Sequence, residues 1–186
     1  MILISYNQIG VLEIIYLNLH LIFSSIDMKY FFLFVSFIAV QTSFAQNYPE
    51  KLPAFEILTL DGETFSQEDI EKNTYNFFVY FNPTCGHCVD AFTFLNLKAE
   101  QIKNAEVHVY PVSSNTEELT LKFFEKHAPK IKDLKNLHVL KDVDYKFADT
   151  FDVGAFPASY LYDQDNNLVK VFEGASEVLF FLKEIE

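Results

Sequence analysis

The sequence predicts an α/β domain: a central mixed sheet, mainly parallel, flanked by helices and finished by an antiparallel hairpin. Three observations carry this expectation. Strand-length apolar stretches alternate with stretches of helical period over most of the chain. Tyr75–Phe81 is a near-continuous apolar run rich in aromatics, as suits a central strand covered on both faces. The last two extended stretches, Ala158–Tyr162 and Leu168–Glu173, are separated only by the polar turn Asp163–Asn167.

Taken in order, Asn47–Pro53 reads as an extended leader. Phe55–Leu60 and Glu63-Thr64-Phe65 flank the turn pair Asp61-Gly62, an N-terminal hairpin signal. Ser66, with Asp69 three residues on, caps a short helix over Gln67–Lys72. Asn82-Pro83 stops the central strand. From Cys85 to Lys103 the apolar positions Ala91, Phe92, Leu95, Ala99 and Ile102 recur at helical spacing. Val107, Val109 and Pro111 alternate with His108 and Tyr110, so a second strand follows, with His108 and Tyr110 expected to face outward. Asn115 or Thr116 caps a helix over Glu117–His127, acidic in its first turn, basic in its last and ended by Pro129. Leu137–Leu140 is a third strand, and Val143–Phe151 a short helix closed by Gly154. After the hairpin, Gly174 breaks the chain and a final helix runs over Glu177–Ile185.

The chain has 186 residues, half of them apolar, enough for a sizeable core. Its net charge of −12 argues against nucleic acid as a partner, since that partner requires a basic patch. Every basic residue is Lys, which excludes chemistry that depends on a guanidinium fork. Met28-Lys29-Tyr30, the apolar run Phe31–Val40 and the small residues of Ser43-Phe44-Ala45 make a signal peptide over 28–45, cut before Gln46. The run is short for a membrane span, though an uncleaved signal would act as an anchor. With no cysteine near the cut, a lipid anchor there is excluded. Residues 1–27 lack Lys and Arg and carry Glu13, Asn18 and His20 in their apolar run, which suits an over-extended start with Met28 as the true one. The expected mature domain is 46–186, exported and periplasmic.

The only two cysteines stand in Cys85-Gly86-His87-Cys88, directly after the central strand and its turn. At i and i+3 on a first helical turn, both sulfurs share a face. Cys85 then sits by unpaired N–H groups and the positive end of the helix dipole, which favour a thiolate. His87 adds positive charge when protonated, and Cys88, deeper in the helix, stays a thiol until needed. Cys85 attacks a disulfide and Cys88 resolves the mixed disulfide. Two blander readings stand beside this one. Half a zinc site would need two more ligands, and His108, His127 and His138 are scattered singly with no shared metal-ligand spacing. A structural disulfide would close so short a loop that it constrains the unfolded chain little.

The segments Phe81–Cys88, Val153-Gly154-Ala155-Phe156-Pro157 and Tyr160-Leu161-Tyr162-Asp163 resemble the thioredoxin superfamily, in particular its TlpA/ResA-like exported branch, over nearly all of residues 50–186. The Cys-Gly-His-Cys tetrad is also similar to that of protein disulfide isomerases. The resemblance implies a thioredoxin-like fold in which the unit from Val107 to His127 is the strand–helix insertion of that branch. It implies that Pro157 is cis and lies beside the cysteines, leaving the Phe156 backbone free to pair with an extended substrate segment. The chain departs from the family pattern at three places. Thr84 replaces the usual Trp, Val79 stands where relatives bury an acid, and Ala91 stands where the branch carries Glu. His87 and Asp90 are then the nearest titratable residues for assisting Cys88, although Asp90 also reads as a solvated first-turn carboxylate.

The function implied is an exported thiol–disulfide oxidoreductase acting on protein substrates without a cofactor or metal. The branch implies a reductase fed by a membrane electron donor. A histidine-bearing tetrad pulls the other way, toward a more oxidising potential. Two alternatives remain. A peroxiredoxin-like antioxidant would need T-x-x-C, but Asn82 takes the required place, and the catalytic Arg of that group has no counterpart. A Sco-like copper-binding assembly factor would use the thiols with a distant histidine such as His138, but carries its cysteines one residue further apart.

Overall fold

The computed structural model describes Tyr30 and residues 48–185. The expectations for residues 1–27 and, Tyr30 apart, for the signal segment 28–45 fall outside the described residues. Seven strands form one mixed sheet: β1 (Glu56–Thr59), β2 (Thr64–Ser66), β3 (Tyr75–Tyr80), β4 (Val107–Ser113), β5 (Leu140–Lys141), β6 (Ala158–Tyr162) and β7 (Leu168–Glu173). Their order across the sheet is β2-β1-β5-β4-β3-β6-β7. β1 and β2 make the expected hairpin, with Ile57 opposite Phe65. Asp163 ties the turn of the second hairpin by accepting from the N–H groups of Asp165 and Asn167.

The sheet is less parallel than the sequence suggests. Only β3–β4 and β4–β5 run parallel, while β1–β2, β1–β5, β3–β6 and β6–β7 are antiparallel. A five-residue helix, α5 (Lys146–Thr150), lies in the link from β5 to β6. β6 starts beside the end of β3, with Ala158 opposite Tyr80, and runs back along it.

Period two sorts β3 onto two cores. Phe77, Val79 and Phe81 face α1 (Gly86–Leu97), α3 (Glu117–His127) and the C-terminal segment, where Phe92, Phe124 and Phe181 are fully buried. Phe78 and Tyr80 face the other way, onto Phe55, Phe147, Phe151 and Tyr160. Both faces of β3 are thus covered, as its unbroken apolar run requires. Thr116 caps α3, its hydroxyl accepting from the Leu119 N–H.

Several elements are shorter or split. The helix expected over Gln67–Lys72 is one 3-10 turn, Gln67–Asp69, held by a capping box in which Asp69 accepts from the Ser66 N–H and hydroxyl. The helix expected from Cys85 to Lys103 breaks at Lys98, where the N–H turns back to the Leu95 carbonyl in a tighter turn. α2 (Ala99–Asn104) resumes beyond it, keeping Ala99 and Ile102 on the core. Pro129 opens a separate short helix, α4 (Pro129–Lys132), because its missing N–H costs nothing at a first helical position. The C-terminal helix is a 3-10 turn over Val178–Phe180 running into α6 (Phe181–Glu184).

Tyr110 is also placed differently. It is buried rather than outward-facing, stacked on Phe78 with 4.9 Å between ring centroids. Its hydroxyl accepts from the Glu71 N–H, and Phe65 of the hairpin lies against it. The hairpin and the 3-10 turn cover a face that alternation alone cannot distinguish from an open one.

Candidate active site

β3 ends at Tyr80 and delivers the chain through Phe81-Asn82-Pro83-Thr84 to the start of α1. Asn82 builds this corner. Its side-chain oxygen accepts from both the N–H and the hydroxyl of Thr84, each at 2.9 Å, and its carbonyl accepts from the Cys85 N–H at 3.0 Å. Such an Asx turn fixes the entry into a helix. Cys85 is the N-cap residue, with extended backbone, and its carbonyl receives the Val89 N–H. The first-turn N–H groups beyond it have no intrahelical acceptor. Asn82 was legible only as a strand stop; the Asn-Pro-Thr run is itself the turn signal that finds this second role.

The two sulfurs differ sharply in setting. Cys85 is half-buried and Cys88 fully buried, and both are free thiols. Burial pushes the Cys88 thiol up to about 12, and its hydrogen bond with Cys85 adds to that, against the opposing N–H of Asn82, which donates to Cys88 Sγ at 3.4 Å. A neutral thiol is therefore stored behind the accessible one. The Cys85 thiol donates to the Phe156 carbonyl at 3.9 Å, a long contact even for sulfur. This brings a loop distant in sequence to the sulfur. The Phe156–Pro157 peptide bond is cis, and the Phe156 ring is 42% exposed.

The fold thus gathers Cys85, Cys88, Phe156 and Pro157 at one end of β3. His87 and Asp90 are both exposed on α1, and Asp90 lies past its first turn. Val79 registers opposite Ser159, whose hydroxyl is buried without a hydrogen-bond partner.

Two of the histidines that looked scattered meet. His108 Nδ1 and His138 Nε2 are 2.9 Å apart, a hydrogen bond in which one ring donates and the other accepts. Burial lowers both pKa values, and for His138 the charge of His108 lowers it further, while Glu71 works in the opposite sense on both. His108 registers with Asn76 near the start of β3, whereas the cysteines follow its end. His138 therefore serves His108 rather than the sulfurs. Among the described residues, no group of three or more His, Cys, Asp or Glu side chains could hold a metal ion.

Comparison with known proteins agrees with this geometry. The AhpC/TSA family model matches residues 49–171. Among solved structures, an exposed lipoprotein thioredoxin from Streptococcus pneumoniae is 25% identical, with a TM-score of 0.52 over 71% of this chain and 99% of that one. The thioredoxin domain of a thiol-disulfide oxidoreductase from Bacteroides vulgatus is 18% identical, with a TM-score of 0.60 over 76% and 100%. StoA from Bacillus subtilis is 14% identical, with a TM-score of 0.56 over 74% and 100%. The fold is thioredoxin-like. A search of curated sequences finds no match.

Proposed function

The chain belongs to the AhpC/TSA family, and from that premise we propose that it is an exported thiol–disulfide oxidoreductase acting on protein disulfides through Cys85 and Cys88. The observation that carries this reading is the asymmetry of the two thiols: one accessible at a helix N-cap, the other buried and held neutral. In the reductive direction the Cys85 thiolate attacks one sulfur of the substrate disulfide. That S–S bond breaks, and the departing substrate sulfur takes a proton. Cys88 then gives up its proton and attacks Cys85 Sγ, expelling the second substrate thiol. The substrate gains two electrons and two protons, and the protein is left with a Cys85–Cys88 disulfide. A membrane electron donor returns the dithiol in the reductase reading, which rests on the branch resemblance.

Phe156 and Pro157 supply the docking edge, where extended substrate backbone pairs beside the sulfur. His87 and Asp90, both exposed around Cys88, carry the protons of the resolving step to solvent. For export, the signal segment is the support, together with the description of the pneumococcal neighbour as an exposed lipoprotein. No helix among the described residues is long and apolar enough to cross a membrane. The mature periplasmic domain then begins at Gln46. A peroxidase reading is disfavoured because Asn82 and the absence of Arg remove two groups it would need.

The test is a Cys88→Ser variant expressed with its signal. It accumulates mixed disulfides with client proteins through Cys85, and they dissolve on reduction. No trapped species, or peroxide turnover as fast as disulfide exchange by the native chain, overturns the reading. Sequencing the processed N-terminus checks export: a start at Gln46 is expected, and an unprocessed cytoplasmic chain rejects it.

A further inference from the structure

Resting on the exchange reading above, we infer that Asp142, acting through Tyr80, positions the Phe156 loop against Cys85. Asp142 is fully buried, and no step of the exchange uses it. Its carboxylate accepts from the N–H groups of Phe147 and Ala148, each at 3.1 Å. Those two bonds cap α5 and would be a complete structural explanation for an acid at this place. A third bond is left over. The Tyr80 hydroxyl donates to Asp142 Oδ2, also at 3.1 Å and buried.

That bond pins the hydroxyl end of the Tyr80 ring. One face of the ring is stacked with Phe147 at 5.9 Å and 11° between planes. Phe156 is also stacked with it, at 5.8 Å and 23°. Phe147 is buried in the core, whereas Phe156 is 42% exposed. Tyr80 is therefore the anchor on which the exposed ring rests. The carbonyl of the same Phe156 is the acceptor of the Cys85 thiol. Asp142, Tyr80 and Phe156 thus form a continuous chain of contacts from a buried carboxylate to the reacting sulfur. Tyr80 and Asp142 are positioning residues; neither touches Cys85.

The chain of contacts acts on two properties in opposite senses. A fixed Phe156 backbone offers the substrate a preformed edge, which favours binding. The same carbonyl lies 3.9 Å from Cys85 Sγ and, while held there, limits access to the sulfur. Loosening the anchor weakens docking and frees the sulfur together. A variant that merely damaged the fold would lower kcat and open Cys88 to alkylation as well.

The experiment uses the full chain and its Tyr80→Phe variant, which keeps the ring and removes one oxygen. A peptide with an intramolecular disulfide is the substrate, and iodoacetamide at pH 6 reports on Cys85. The expected result is a KM about three- to ten-fold higher with kcat within about two-fold, and alkylation about two-fold faster or more. Asp142→Asn keeps an oxygen for the hydroxyl but sets its amide NH2 against the Phe147 N–H, so its shifts run in the same directions with a loss of stability added. If Tyr80→Phe leaves both KM and the alkylation rate at native values, or lowers kcat and lets Cys88 be alkylated alongside Cys85, the positioning role is wrong. A native chain that exchanges no disulfide at all would instead reject the function proposed above.

Discussion

Cys88 gives the sharpest prediction, because burial of its sulfur makes stability depend on pH. The thiol is pushed from an ordinary value of 9.0 to about 12. An acid whose folded pKa is raised holds its proton in the folded chain and releases it on unfolding. Its contribution is therefore fully present below pH 9 and is lost as pH rises from 9 toward 12. At 1.36 kcal/mol per pH unit, the loss is about 1 kcal/mol at pH 10 and approaches about 4 kcal/mol above pH 12. Burial also raises Tyr160 and Tyr162, and their effect has the same sign. A single pH profile would mix these contributions. The assay is therefore a difference: urea unfolding under reducing conditions of Cys85→Ser against Cys85→Ser with Cys88→Ala. Both proteins carry the tyrosines, and neither can form a disulfide. The stability advantage of the Cys88-containing protein shrinks by about 1 kcal/mol between pH 8 and pH 10. A difference that stays flat across that range would mean Cys88 ionises as easily folded as unfolded, and the stored-thiol account of the resolving step would be refuted.

Three further outcomes are expected. Asn82→Ala removes the acceptor for both Thr84 donors, costing about 1–2 kcal/mol in urea unfolding and slowing disulfide exchange; a loss confined to stability would show that the turn does not place Cys85. Burial holds His108 and His138 neutral, so their contribution is complete above the ordinary value of 6.5 and falls as pH drops below it; His138→Phe should flatten the decline in melting temperature between pH 7 and pH 5, and an unchanged slope would assign it to other groups. Pro157→Thr introduces a backbone N–H and a hydroxyl in the loop whose Phe156 carbonyl meets Cys85, and stalled mixed disulfides should persist longer on non-reducing gels; native release kinetics would deny this loop a part in docking.

Local patterns foretold much of the chain because local rules governed it. The run Tyr75–Phe81, the hairpin through Asp163–Asn167 and the helix capped by Thr116 stand where period, turn residues and capping put them. The Cys85/Cys88 pair needed only the strand–turn–helix order, since three residues of spacing on a helix place both sulfurs on one face. Distance along the chain hid the rest. Nothing near Tyr80 announces that Asp142 will take its hydroxyl, nor does anything near His108 announce His138. Those partners meet because β4 pairs beside β3 and the segment entering β5 pairs beside β4. Strand order and direction are set by which hydrophobic faces must be covered together. Periodicity assigns each residue a side of its own strand, but it does not say what will cover that side; that is why Tyr110 looked exposed and is buried.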